Sequence, residues 1–225
     1  MNEIFHRSLS EQTYDILKRH IIERELKPNS KIDLNELSQR LGVSRMPIVE
    51  AIARLEREGL VIRRNRVGTY ISPLTAEIFS EMFAARQMIE EWMVPHTLKH
   101  LTPHDLDALE AELTQASLLL RAEDDQSFDY RRYSEHDERF HLILVERCNN
   151  RQVYNFYTSL NSHVQIARVY SHRALDSARQ DEAEHAAILE AYRAGDVAAA
   201  RAAQNAHLER NRIQLLALIE QHGVL

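Results

Sequence analysis

The chain has 225 residues, 44 % of them apolar, with five Gly, five Pro, one Cys and no run of eighteen apolar residues. That excludes a membrane-spanning helix and a disulfide framework, and with no N-terminal apolar leader it implies one or two mostly helical domains in the cytoplasm. The formal net charge of −6 hides a division: residues 1–73 carry 13 Lys+Arg against 10 Asp+Glu, whereas residues 74–225 carry 15 against 24, so only the first third suits a polyanion.

Ser8 and Glu11 stand at capping-box spacing and open a helix that runs through Tyr14, Leu17 and Ile21 and ends before Pro28. Asp33 caps a second helix carrying Leu34, Leu37 and Leu41, which stops at Gly42. Ser44 caps a third at once. Its stripe is Ile48, Ile52 and Leu55, with Arg45, Arg54 and Arg57 pointing elsewhere, and Gly59 closes it. Leu60, Val61 and Ile62 suit a strand, Arg63, Arg64, Asn65 and Arg66 a cationic tip, and Thr69, Tyr70 and Ile71 a strand returning after Gly68. Helix, turn, helix and basic hairpin predict a winged helix-turn-helix that binds double-stranded DNA.

Ser72-Pro73-Leu74-Thr75 breaks the strand pattern, which places a domain boundary between residues 73 and 74. Beyond it the spacing predicts only amphipathic helices, over 75–100, 103–122, 126–148, 150–172, 178–194 and 196–222, an all-α bundle of about six. Cys148 falls on an apolar face and reads as core.

Three of these helices aim ligands at the bundle core. Asp137 and His141, four apart, share a face with Tyr133, Phe140 and Leu144; His185 shares one with Ile188, Leu189 and Tyr192; His207 one with Ala200, Ala203 and Leu215. Each alone reads most simply as a hydrogen-bonded core residue, but one divalent ion would satisfy all four together. Neighbours such as His136, Glu138 and Glu184 sit about 100° round their helices and are set aside. Arg86 lies in the stripe Phe79, Met82, Phe83, Ile89 and Met93, and a buried guanidinium needs an anion.

The run Val43-Ser44-Arg45-Met46-Pro47-Ile48-Val49-Glu50-Ala51-Ile52, with Arg54-Leu55-Glu56-Arg57-Glu58-Gly59-Leu60 behind it, resembles the recognition region of GntR-family transcription factors. The resemblance implies that Arg45 reads or clamps DNA and that Gly68 lets the wing backbone approach the groove; Ser44, Pro47 and Arg54 of the same run, and Arg63, Arg64 and Arg66 of the cationic wing, are the other expected DNA contacts. One position departs from the family's pattern, which often has a second arginine where this chain has Val49. Asp137-x-x-x-His141, Glu184-His185 and the Ala-rich segment before His207 are similar to the ligand pattern of the FadR-type C-terminal domain, FCD. That likeness implies a divalent metal on Asp137, His141, His185 and His207: zinc after purification, with nickel or manganese suiting an open octahedral site. It also implies a small carboxylate effector held by Arg86, whose other reading is an i,i+4 ion pair with Glu90.

The expected protein is a homodimeric, metabolite-responsive repressor on a palindromic operator, with no membrane partner and no enzyme activity. Two alternatives stand beside it: a metal-dependent hydrolase or lyase with an accessory winged helix, and a regulator whose metal is purely structural.

Overall fold

The computed structural model describes residues 7–170 and 175–223; the expected helix end at 171–172 lies outside them. The N-terminal part holds α1 (Leu9–Ile22), α2 (Leu34–Leu41), α3 (Arg45–Arg57), β1 (Val61–Arg64) and β2 (Gly68–Ile71). After it come α4 (Ala76–His100), α5 (Pro103–Leu119), α6 (Tyr130–Arg147), α7 (Arg151–Tyr170), α8 (Leu175–Arg193) and α9 (Val197–His222). The architecture is mainly α, a winged helix-turn-helix followed by a helical bundle, as the periodicity predicts.

Local chemistry sets these boundaries. The Ser8–Glu11 capping box is formed in both directions. Asp33 Oδ1 accepts from the amides of Asn35 and Glu36 at 2.7 and 3.2 Å, and Gly42 ends α2 at a φ of 65°, a left-handed turn with no Cβ to strain. Ser44 occupies the N-cap of α3 by its extended backbone alone, since its hydroxyl makes no capping hydrogen bond. Thr75, Thr102, Asp129 and Asp196 cap α4, α5, α6 and α9 with their side chains.

The antiparallel wing pairs Val61 with Ile71 and Arg64 with Gly68. The strand therefore runs further than the sequence suggested: Arg63 and Arg64 belong to β1, and only Asn65, Arg66 and Val67 form the tip. With side chains alternating, Val61 and Ile71 face the core, which carries Arg63 to the α3 side and Arg64 to the other.

One apolar core joins the winged helix to the base of the bundle. Tyr14, Leu17, Ile48, Leu55, Leu60 and Ile71 pack in a single cluster with Phe79 and Phe83 of α4, Val164 and Ala167 of α7, and Leu208 and Leu215 of α9. A second core, with Phe140, Leu144, Tyr157, Ile188 and Tyr192, fills the bundle. α7 runs between them and is buried on every side from Asn161 to Arg168. Cys148 is a buried free thiol, its pKa raised by burial.

Candidate nucleic-acid interface and metal centre

The cationic face of the winged helix keeps Arg45, Arg63, Arg64 and Arg66 at the surface, and the three wing arginines line a cleft of about 540 Å³ between α3 and the wing. Arg45, at the first turn of α3, donates to Asn35 Oδ1 of α2, which fixes its direction. Arg63 pairs with Glu56 at 3.1 Å, and Arg64 lies over the Tyr70 ring at 4.5 Å while donating to Asn29. Gly68 holds a φ of 141°, which residues with a Cβ rarely adopt, so a larger residue would strain the wing at this step, while the nearby end of the Lys31 side chain could move aside.

Two residues carried over from the resemblance do not face this surface. Pro47 is buried in the first turn of α3, on its core side. Arg54 is turned to α1, its guanidinium 3.7 Å from the centre of the Tyr14 ring and paired with Glu58 at 3.4 Å. An aromatic face and a carboxylate beside it hold the arginine there. Arg54 belongs to a packed cluster in which Tyr14 and Lys18 also donate to Glu58.

In the bundle, α6, α8 and α9 bring the ligand candidates together. His141 Nε2 lies 3.1 Å from His185 Nε2, which is 3.2 Å from His207 Nε2, and Asp137 Oδ1 stands 3.6 Å from His185 Nε2. All four residues are only 1–3 % exposed. Donor atoms sharing an ion at about 2.1 Å sit roughly 3.0–3.4 Å apart, the spacing of the imidazole nitrogens here. Hydrogen bonding does not account for it, because His185 Nε2 carries either one proton or one lone pair and can satisfy only one neighbour. Asp137 Oδ1 and His141 Nδ1 have no hydrogen-bond partner among the described residues. The three converging nitrogens fit a divalent cation, and the orphaned Asp137 oxygen, 3.6 Å from His185 Nε2, stands beside them as the fourth candidate ligand.

Protonation states agree. Burial, with the charge that His185 would add, holds His141 and His207 well below the ordinary histidine range, and burial also lowers His185 against the opposing carboxylates of Asp137 and Asp181. Burial alone would raise Asp137, but the Arg168 guanidinium paired with its Oδ2 and the surrounding histidines hold it well below the usual carboxylate range. One carboxylate and three neutral imidazoles are the forms that bind metal.

Supporting residues surround the four. His207 Nδ1 lies 2.7 Å from Glu184 Oε2; an ionised carboxylate only accepts, so the proton sits on Nδ1 and the Nε2 lone pair faces the other histidines. Glu184 is itself fixed by Arg210, whose Nη2 donates to Oε2 at 2.7 Å. Glu184 was set aside in the sequence because it does not share a face with His185; it acts from the outer side. Arg168 was missed, although Tyr157, Asn161, Val164 and Arg168 form a helical stripe of the kind that singled out Arg86.

Arg86 is fully buried. Its Nε donates to Glu90 Oε1 at 2.8 Å, Nη1 to Asn161 Oδ1 at 3.3 Å and Nη2 to the Tyr157 hydroxyl at 2.8 Å. The i,i+4 pair with Glu90 thus exists. Arg86 also stands close enough to His141 for its charge to oppose protonation of that ring.

The sequence matches the gntR family of bacterial regulatory proteins over residues 9–71 and the FCD domain over residues 81–210. It is 27 % identical over 212 residues to the uncharacterized HTH-type transcriptional regulator YdhC of Bacillus subtilis, covering 93 % of this chain and 92 % of that protein. It is 28 % identical to the putative L-lactate dehydrogenase operon regulatory protein of Escherichia coli, over 91 % of this chain and 85 % of the relative. Among solved structures, E. coli McbR/YncC superposes with a TM-score of 0.79 at 21 % identity, covering 96 % of this chain and 99 % of that one, a likeness of fold. The chain therefore belongs to the GntR family of bacterial regulatory proteins, as a transcriptional regulator with an N-terminal DNA-binding helix-turn-helix and a C-terminal FCD domain, and not to an enzyme family.

Proposed function

We propose that the protein is a cytoplasmic, metabolite-responsive repressor that binds a palindromic operator as a homodimer and leaves it when a small carboxylate occupies the bundle. Residues 1–73 would be the reading head and 74–225 the sensor and dimerisation unit. The observation that carries this reading is the convergence of three imidazole nitrogens, with the orphaned Asp137 oxygen 3.6 Å from the middle one, behind a DNA-binding head that shares its core with the sensor.

Asp137, His141, His185 and His207 would hold the divalent ion, zinc as isolated or nickel or manganese. When bound, the ion supplies a cationic centre that attracts an anion to an open coordination position. Around it the chain's own groups act electrostatically. Arg168 neutralises the buried Asp137 charge, Glu184 keeps the His207 proton on Nδ1, and Arg86, held by Glu90, Asn161 and Tyr157, offers the cation an effector carboxylate would meet. The relative named for an L-lactate dehydrogenase operon makes a hydroxy acid a natural first compound to try. Exposed Met88 and Trp92 on α4 supply apolar surface for a second copy. No helix among the described residues is long and apolar enough to cross a membrane.

Mobility shifts with the upstream region of the protein's own gene test the reading. A palindromic site bound by wild type and lost by Arg45→Ala supports it; no shifted species at any salt concentration overturns it.

A further inference from the structure

We infer that Val49, with Met46 beside it, recognises the 5-methyl group of thymine in the major groove of the operator. The inference rests on the DNA-binding reading of α3 and adds a chemical group to it. The exposed side of the first two turns of α3 consists of Arg45, Met46, Val49 and Glu50, while Pro47, Ile48, Ala51 and Ile52 are buried. Met46 is 65 % exposed and Val49 42 %, so this apolar surface is not core. The two lie at i,i+3 and therefore side by side. Val49 also lines the cleft of about 540 Å³ whose opposite wall is the cationic wing from Arg63 to Thr69.

An apolar pair within an arginine-rich face needs an apolar group on the nucleic acid. Bases present only one such group in the major groove, the thymine methyl, and the minor groove presents none. Valine suits it because a β-branched side chain in a helix has essentially one χ1 state, which holds its methyl groups in fixed positions. The neighbouring polar candidate is occupied elsewhere: Glu50 accepts from the Ser10 hydroxyl of α1, which draws its carboxylate back from the groove. Arg45, held by Asn35, then supplies the adjoining polar contact.

The test begins with selection of preferred duplexes from a random library by full-length wild type and by Val49→Ala. The expected result is a thymine in each half-site that wild type selects and Val49→Ala does not. Replacing that thymine by deoxyuridine, which removes only the methyl group, is expected to weaken wild-type binding about three- to fivefold, the effect of one buried methyl. Val49→Ala should be indifferent to the replacement, and Val49→Thr, which keeps one methyl, should remain sensitive. If wild type selects a site and tolerates deoxyuridine at every thymine in it, the inference is overturned and the DNA-binding reading stands. If deoxyuridine weakens Val49→Ala as much as wild type, another residue makes the contact and the inference is again overturned. Failure to select any duplex overturns the DNA-binding reading and this inference with it.

Discussion

The Glu184 carboxylate accepts a hydrogen bond from His207 Nδ1–H at 2.7 Å and so leaves the Nε2 lone pair facing His185. A carboxylate behind a ligand histidine fixes the tautomer and raises ligand basicity. Glu184→Gln is therefore expected to weaken metal binding about 10–100-fold without removing a ligand. Competition against a chelator of known affinity measures this; an unchanged affinity would show that Glu184 serves only the Arg210 ion pair.

Metal content and stability should move together. Wild type reconstituted with zinc is expected to hold about one ion per chain, and His185→Ala/His207→Ala much less. An ion at about 100 times its dissociation constant stabilises the folded state by about 2.7 kcal/mol, which for a chain of this size raises the melting temperature by roughly 5–10 °C. Elemental analysis and calorimetry with and without chelator read both quantities. Full occupancy in the double mutant would contradict the ligand assignment.

Acid should destabilise the metal-free protein. His141, His185 and His207 all have lowered proton affinity, chiefly through burial. Unfolded histidines titrate near 6.5, so below that pH the unfolded chain gains protons that the folded one resists, and folding loses free energy as the pH falls. Only from about one pH unit above 6.5 are the three neutral in both states, so that they contribute no slope. Chelated wild type is expected to melt progressively lower from pH 7.5 to 5.0, and a variant with all three replaced by glutamine to show a flatter profile. Identical profiles would remove these histidines as the cause.

Arg45 and the wing arginines stand exposed at the start of α3 and on the wing, whereas Arg54 is held against α1. Arg45→Ala should weaken specific binding by about 1–3 kcal/mol, and Arg66→Ala should lower affinity for all sequences and reduce the salt dependence by about one unit of slope. Arg54→Ala, in contrast, should lower stability through loss of the Tyr14 and Glu58 contacts and leave affinity nearly unchanged. Anisotropy titrations across a salt series, paired with thermal melts, distinguish the two groups.

Much of this was legible in the sequence, for physical reasons. Asp33, Gly42, Ser44 and Gly59 punctuate α2 and α3, and a four-residue spacing put Asp137 and His141 on one inward face. Side-chain direction at the edges of elements was less legible. Arg54 reads as one more free cation until the Tyr14 ring of α1 is seen against it, and Pro47 reads as part of a contact motif until its burial is seen. The wing tip was begun two residues too early because Arg63 and Arg64 lack the β-branched character of a strand, yet cross-strand pairing carries β1 to Arg64. Helical spacing marks Arg168 as inward-facing and Glu184 as off the His185 face, but it could not show their partners on other helices, Asp137 on α6 and His207 on α9.

The most direct test of the central claim is a fluorescence anisotropy titration of the operator complex with a panel of small mono- and dicarboxylates, hydroxy acids first, on metal-loaded, metal-stripped and Arg86→Ala protein. A ligand shifts an equilibrium only by its difference in affinity for the two states, and couplings of about 1–3 kcal/mol correspond to roughly 5–150-fold in operator affinity. The expected result is that at least one carboxylate lowers operator affinity by a factor in that range for metal-loaded wild type, and that metal stripping or Arg86→Ala abolishes or sharply reduces the effect. A carboxylate that acts equally on all three forms, or none that acts on the metal-loaded protein, would contradict the claim that this site senses the effector.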